Sequence, residues 1–209
     1  MRIGILGSGN IGATTAELFT KAGHEVVIAN SRGPETLADL VDRLGPSARA
    51  ATVLNAVQDS DLVLVALPVK AYGDLPQTGF SGTIVVDAGN YYPPRDGSVP
   101  ELEDGSTTSS ELLAARLPGA RVVKAFNTLW SKTLAEQGKP DAPRNERLAL
   151  LVAGDDAEAK KTVSDLVEQI GFAAVDTGSL HDGERRQGPS SPLYNSPVSA
   201  ADAEKQLTG

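Results

Sequence analysis

The run Gly7-Ser8-Gly9-Asn10-Ile11-Gly12 does most to fix what this chain folds into. It follows the apolar segment Ile3-Gly4-Ile5-Leu6 and leads into Ile11, Thr15, Leu18 and Ala22 at helical spacing. A G-x-G-x-x-G pattern carries weight only between a strand and a helix, which is where this one stands. In that setting the first glycine permits a tight turn, the second lets the backbone approach a pyrophosphate, and the third lets helix and strand pack closely. The pyrophosphate rests on the free amides of the helix N-terminus. Gly7, Ser8, Gly9, Asn10, Ile11 and Gly12 are therefore expected to bind a dinucleotide.

Further apolar runs recur between helical patterns: Val26 to Ala29, Leu62 to Ala66, Ile84 to Val86, Arg121 to Ala125 and Leu148 to Ala153. Continuous apolar strands imply a sheet covered on both faces. Stripes such as Leu37, Leu40, Val41 and Leu44, or Val163, Leu166, Val167 and Ile170, suit helices lying on that sheet. Alternation of the two gives right-handed crossovers, and hence a Rossmann-type α/β fold doubly wound about a mainly parallel sheet. Ala173 to Asp176 adds a last short strand.

The 209 residues suit one such domain. It is placed at residues 1–178, with a C-terminal tail at 179–209. The tail is rich in Gly, Ser and Pro around Gly188 to Pro192 and ends in a short helix from Ala200 to Leu207. Leu193 and Tyr194 have no evident packing partner within the domain, so the tail is expected to lie on the neighbouring subunit of a homodimer. Asn90 to Ser98 contains prolines and a glycine that forbid both helix and central strand, and reads as an ordered loop or a lid.

A formal charge of −8 repels nucleic acid and anionic membrane surfaces. The lack of cysteine excludes disulfides, thiolate metal sites and a cysteine nucleophile, and two histidines leave few metal ligands. No metal site is expected, and chemistry must come from a bound cofactor. Apolar stretches of strand length and a start without a basic leader predict a soluble cytoplasmic protein.

The second strand ends at Asn30-Ser31-Arg32, where NAD enzymes usually carry an acid that holds the adenosine ribose. A carboxylate there would repel a 2′-phosphate, whereas a serine hydroxyl and a guanidinium bind it. NADP(H) is the expected cofactor. Ala66, Leu67 and Pro68 close the Leu62 strand, and Asn90 and Asn127 close later ones, so all belong to the carboxyl-end rim where open α/β sheets bind ligands. The asparagines would hydrogen-bond the nicotinamide amide or a second substrate, or else serve as turn and cap residues.

No tyrosine is followed four residues later by lysine, and no acid/base dyad is evident. His24 reads as structural, His181 as a loop residue, and Asp155-Asp156 as a helix N-cap. Substrate positioning therefore falls to Asn127, Thr128 and Leu129, with no residue assigned as acid or base.

The glycine loop, Asn30-Ser31-Arg32, Ala66-Leu67-Pro68, Val86-Asp87-Ala88-Gly89-Asn90 and Ser110 through Thr128, with its Val122-Val123-Lys124-Ala125-Phe126-Asn127-Thr128, together resemble one family. It is the NADPH-dependent reductases of the deazaflavin coenzyme F420, which include the cytoplasmic reductase domains of mammalian metalloreductases. The resemblance runs from Met1 to about Leu193. It implies a nicotinamide on the rim with a deazaflavin stacked on it, and hydride passing directly between ring carbons. Family members often end in an apolar helix, whereas this chain ends in Tyr194-Asn195-Ser196-Pro197 and a polar tail.

The expected function is thus an NADPH-dependent oxidoreductase with a deazaflavin or flavin as small-molecule acceptor, catalysing by ring alignment. Two alternatives stand beside it: a reductase of a small carbonyl or imine substrate, and a non-enzymatic NADPH-binding sensor. The acceptor cleft is expected between Leu67-Pro68, Asn90 to Tyr92, Asn127 to Leu129 and the tail around Arg186.

Overall fold

A computed structural model describes residues 1–208, with Glu184 described by its backbone alone. The first half of the chain runs β1 (Arg2–Leu6), α1 (Asn10–Lys21), β2 (Glu25–Ala29), α2 (Ala38–Leu44), β3 (Ala48–Ala50), α3 (Val53–Gln58), β4 (Leu62–Val65) and β5 (Ile84–Asp87). There follow α4 (Pro93–Asp96), α5 (Pro100–Glu103), α6 (Ser109–Arg116), β6 (Arg121–Lys124), α7 (Ser131–Glu136), β7 (Ala149–Gly154), α8 (Ala157–Gln169), β8 (Ala173–Gly178), α9 (Leu180–Arg185) and α10 (Ala200–Thr208).

The strands form one sheet of eight in the order β3-β2-β1-β4-β5-β6-β7-β8, confirming the Rossmann-type α/β reading. Pairing is parallel from β3 through to β6. It turns antiparallel where β7 meets β6, through Val123 with Gly154 and Lys124 with Ala153. Alternate strand residues feed opposite faces, as the period of two requires. Ile3, Ile5, Leu62, Leu64 and Val86 join Phe19 of α1 and Val163, Leu166 and Val167 of α8. Val27, Val63, Val65, Val85 and Val122 join Ala56 and Val57 of α3 and Leu113 of α6 on the other side. This two-sided burial is why the strands read as unbroken apolar runs. No helix among the described residues is long and apolar enough to cross a membrane.

Two expectations are corrected. The Asn90–Ser98 stretch is not wholly irregular: Pro93 and Pro94 open the one-turn helix α4, because proline is tolerated where helical amides have no partner anyway. The tail has a packing partner within its own chain, so the reason for expecting it on a neighbouring subunit falls. Leu193, Ala200 and Ala203 cover Ala149, Leu151, Ala173 and Val175 on the outer sheet. The leading half of β7, which β6 does not reach, is met by Val198 and Ser199, with the Ala149 amide donating to the Val198 carbonyl at 3.0 Å. Gly209, the last tail residue, lies outside the described residues.

Asp156 caps α8 as expected, accepting from the amides of Glu158 at 3.0 Å and Ala159 at 2.9 Å. Arg121 grips the same carboxylate through Nε at 2.6 Å and Nη2 at 2.7 Å. The Arg121 hydrogen bonds, followed by the Ala159 amide, hold this carboxyl well below its ordinary 3.8. A group whose pKa is depressed by folding stabilises the native state above its unfolded value, and that contribution fades as pH falls. Wild type should therefore lose a modest part of its melting temperature as pH falls below about 4, and Asp156→Asn, which keeps a capping side chain without the titration, should fall less over the same range. Equal slopes in thermal melts would refute this.

Candidate active site

β1 sends its connection to β2 on one side while its other neighbour is β4, so the sheet reverses direction between β1 and β4. In open α/β sheets that reversal opens a crevice at the carboxyl ends of the strands. The glycine loop enters it from β1 and Ala66-Leu67-Pro68 from β4. Gly7 has φ 108°, and a Cβ there would lie 2.4 Å from the Ala66 carbonyl oxygen. A Cβ on Gly12 would come within 2.0 Å of the Gly7 oxygen, so helix and turn meet only with glycine at both places. A Cβ on Gly9 would meet nothing within 4 Å. Gly9 caps α1 without a side-chain bond, and the first turn holds no acid, which leaves its amides open to an anion.

At the end of β2, Asn30 folds the next turn around its own side chain. Its Oδ1 accepts from the Arg32 amide at 2.9 Å, and its Nδ2 donates to Thr36 Oγ1 at 2.9 Å and Ser8 Oγ at 3.3 Å. Asn30 thereby ties the adenosine end of the crevice to the glycine loop. Ser31 and Arg32 are exposed. Among the described residues the Arg32 guanidinium has no hydrogen-bonded or ion-paired partner.

Along the rim runs a cleft of about 280 Å³ lined by Gly89, Asn90 and Asn127 together with Leu67, Pro68, Leu129, Trp130, Tyr92 and Tyr194. The two asparagines grip each other: Asn90 Nδ2 donates to the Asn127 carbonyl at 2.9 Å, and Asn127 Nδ2 donates to Asn90 Oδ1 at 3.1 Å. Asn127 is 4% exposed, and its Oδ1 is buried without a protein partner. An unmet buried acceptor costs about 1–3 kcal/mol, which a ligand N–H would return. Phe126, fully buried with φ 65°, makes the turn that sends its own ring edge-on against Phe19 and delivers Asn127 to the rim. A left-handed phenylalanine is strained, and such strain concentrates at functional sites.

Tyr92 and Tyr194 share a short hydroxyl–hydroxyl hydrogen bond. Burial, and then that bond, push the Tyr92 phenol far above its ordinary value, so it stays neutral. The Arg95 guanidinium lies 4.9 Å from the Tyr92 ring centre and donates to the Asn90 carbonyl at 2.5 Å. Among the described residues the cleft lining holds no carboxylate, imidazole or lysine.

This arrangement has relatives. Residues 2–91 match the family model described as NADP oxidoreductase, coenzyme F420-dependent. The F420-dependent NADP reductase of Methanocaldococcus jannaschii is 31% identical over 134 residues, covering 60% of this chain and 57% of that protein. The amino-terminal half of the chain is thus similar to the F420-dependent NADP oxidoreductases. A proposed F420-dependent NADP reductase from Arthrobacter sp. FB24 superimposes with a TM-score of 0.73 at 25% identity, over 86% of each chain. A hypothetical protein from Sinorhizobium meliloti does so with 0.81 at 35% identity, over 95% of each. Metalloreductase STEAP3 of Rattus norvegicus is 32% identical over 86% of this chain, which spans only 34% of that longer protein.

The expected rim residues fall into two groups. Gly9, Asn10, Ile11, Ala66, Leu67, Pro68, Asn90, Asn127 and Leu129 line one cleft, whereas Thr128 is buried and outside it. Tyr91 turns away, its hydroxyl donating to the Gly97 carbonyl at 2.8 Å. The tail reaches the cleft through Tyr194 and Asn195 rather than Arg186, whose Nη1 faces the Thr177 carbonyl at 3.3 Å. His24 lies apart, 2.9 Å from Gln169, and His181 pairs with Glu111 at 3.1 Å. Sequence reasoning missed Arg95, Phe126 and Trp130. Only Trp130 had a usable signal: it is the single tryptophan, three residues beyond a rim asparagine, and is 66% exposed.

Proposed function

We propose that this chain is an NADPH-dependent reductase that delivers hydride to a planar deazaflavin or flavin acceptor. The carrying observation is the cleft: apolar and aromatic walls for ring faces, asparagine amides in its lining and, among the described residues, no carboxylate, imidazole or lysine there. Hydride transfer between stacked rings needs alignment more than a protein proton donor, and alignment alone is worth about 7–11 kcal/mol.

The residues suit NADPH along its whole length. The open space over Gly9 and the uncapped α1 amides suit the pyrophosphate, and the unpaired Arg32 with Ser31 suits the 2′-phosphate. Asn127 Oδ1 suits the nicotinamide carboxamide N–H. Bound NADPH would supply the hydride, two electrons with one proton, leaving NADP⁺ while the acceptor takes any further proton from solvent. Ala66, Leu67 and Pro68 would back one face of the reacting rings, and Trp130 with Tyr92 would shield them from water. At about 280 Å³ the cleft admits the reacting ends, while the remaining dinucleotide would lie along the open edge towards Arg32.

The test offers a deazaflavin, free flavin and a ferric chelate in parallel while NADPH absorbance is followed. Oxidation with the deazaflavin or the flavin is expected, and reduction of the ferric chelate alone would replace the acceptor class. Tight NADPH binding with no oxidation by any of them would overturn the reading in favour of a sensor.

A further inference from the structure

Asp87 closes β5, Lys124 closes β6, and the two stand opposite one another in the register of those strands. Both are fully buried, and Lys124 Nζ lies 3.1 Å from Asp87 Oδ2. Desolvation cancels most of what such a pair gains, so stability is a weak account of its presence. Its geometry supplies another, because the partners grip the two peptide units on either side of the Gly89 Cα, in the cleft lining. The Gly89 amide donates to Asp87 Oδ1 at 2.8 Å, and Lys124 Nζ donates to the Gly89 carbonyl at 2.6 Å. Tyr72 donates to Asp87 Oδ1 at 2.6 Å and Ser110 to Oδ2 at 2.7 Å, which fixes the carboxylate in turn. The Gly89 backbone lies hard against this network, since a Cβ there would stand 2.2 Å from the Tyr72 hydroxyl. The next residue is Asn90, locked to Asn127 in the cleft.

We propose that the Asp87–Lys124 pair is a positioning device for hydride transfer: by clamping Gly89 from both sides it fixes the Asn90–Asn127 pair against which the reacting rings align. The pair touches neither ring and acts through backbone. This inference rests on the function proposed above. Alignment is the steep variable, since a displacement of about 1 Å costs on the order of a hundredfold in rate.

The test is the double variant Asp87→Asn/Lys124→Met, studied as the full chain. Asn retains an oxygen for the Gly89 amide and Tyr72, and Met fills the lysine's volume, so no unpaired charge is left between the two positions. Expected are a cooperative thermal transition and a Kd for NADPH within about threefold of wild type. Before any NADPH is added, amide hydrogens over residues 88–92 should exchange about tenfold faster. With saturating NADPH and a deazaflavin, single-turnover hydride transfer should fall at least about tenfold, with a larger primary isotope effect from NADPH deuterated at C4. Exchange and rate both within about threefold of wild type would overturn the inference and leave the pair a purely structural feature.

If the double variant does not fold, Gly89→Ala displaces the same backbone with the ion pair intact, and Tyr72→Phe added to it removes the nearest obstructing atom. The first should slow hydride transfer and the second should restore part of the rate. An unchanged rate in Gly89→Ala would overturn the inference. Wild-type protein inactive with every acceptor would overturn the functional reading and this inference together, whereas an active wild type with unaffected variants overturns this inference alone.

Discussion

A chain ended after Gly178 is expected to lose its cooperative thermal transition. The missing segment carries Leu180, Leu193, Ala200 and Ala203, all buried, and its removal uncovers Leu151 and Val175 on the outer sheet. Each such leucine or valine contributes about 1.5–3 kcal/mol by leaving water. Four of them approach a typical whole-domain margin of about 5–15 kcal/mol. The bonds of Val198 to Ala149 and of Ala200 to Arg147 go with them, as does the ion pair of Arg144 with Glu204 at 3.0 Å. Soluble expression, thermal melts and sedimentation velocity of the truncated chain check this. A truncated chain that melts within a few degrees of full length would show that the outer sheet stands without its cover. A folded truncation that sediments as a monomer beside a dimeric parent would show that the segment serves an interface instead.

Arg32→Ala should raise the Kd for NADPH about tenfold or more, equivalent to about 1.4 kcal/mol, and leave that for NADH nearly unchanged. The guanidinium has no protein partner to lose among the described residues, so its removal should cost the fold nothing measurable. The NADPH preference of wild type should also shrink as salt is raised, because an exposed cation is screened within about 10 Å at 0.1 M salt. Equal losses for the two dinucleotides, read by titration calorimetry, would show that Arg32 does not face the 2′-phosphate.

The glycine loop was legible because its requirements are local and steric. Gly7 and Gly12 would drive a Cβ into Ala66 and Gly7 carbonyl oxygens respectively, and no other residue avoids that. The strands were legible for the complementary reason, that two-sided burial leaves no polar face to disguise the pattern. The three-residue β3 and the one-turn α4 were not, because each is too short for a period and is held by its neighbours rather than by its own composition. Asp87 and Lys124 are the instructive pair. Each reads alone as a charged residue at a strand end, and nothing in the order of residues says that β5 and β6 lie side by side with both charges at one level.

By itself, then, the sequence determined the doubly wound sheet, the glycine loop at the head of α1, the missing acid after β2 and the placing of Asn90 and Asn127 on the carboxyl rim. These follow from periodicity, glycine sterics and strand ends, which act within a few residues. Only the tertiary structure decided that Asn90 and Asn127 hold each other, that the Asp87–Lys124 pair clamps the backbone at Gly89, that Tyr194 rather than Arg186 reaches the cleft, and that the tail covers its own sheet. Those contacts join residues far apart in the chain. Each exists because strand order and register bring the groups together, a property of the packed sheet that no local stretch of sequence encodes.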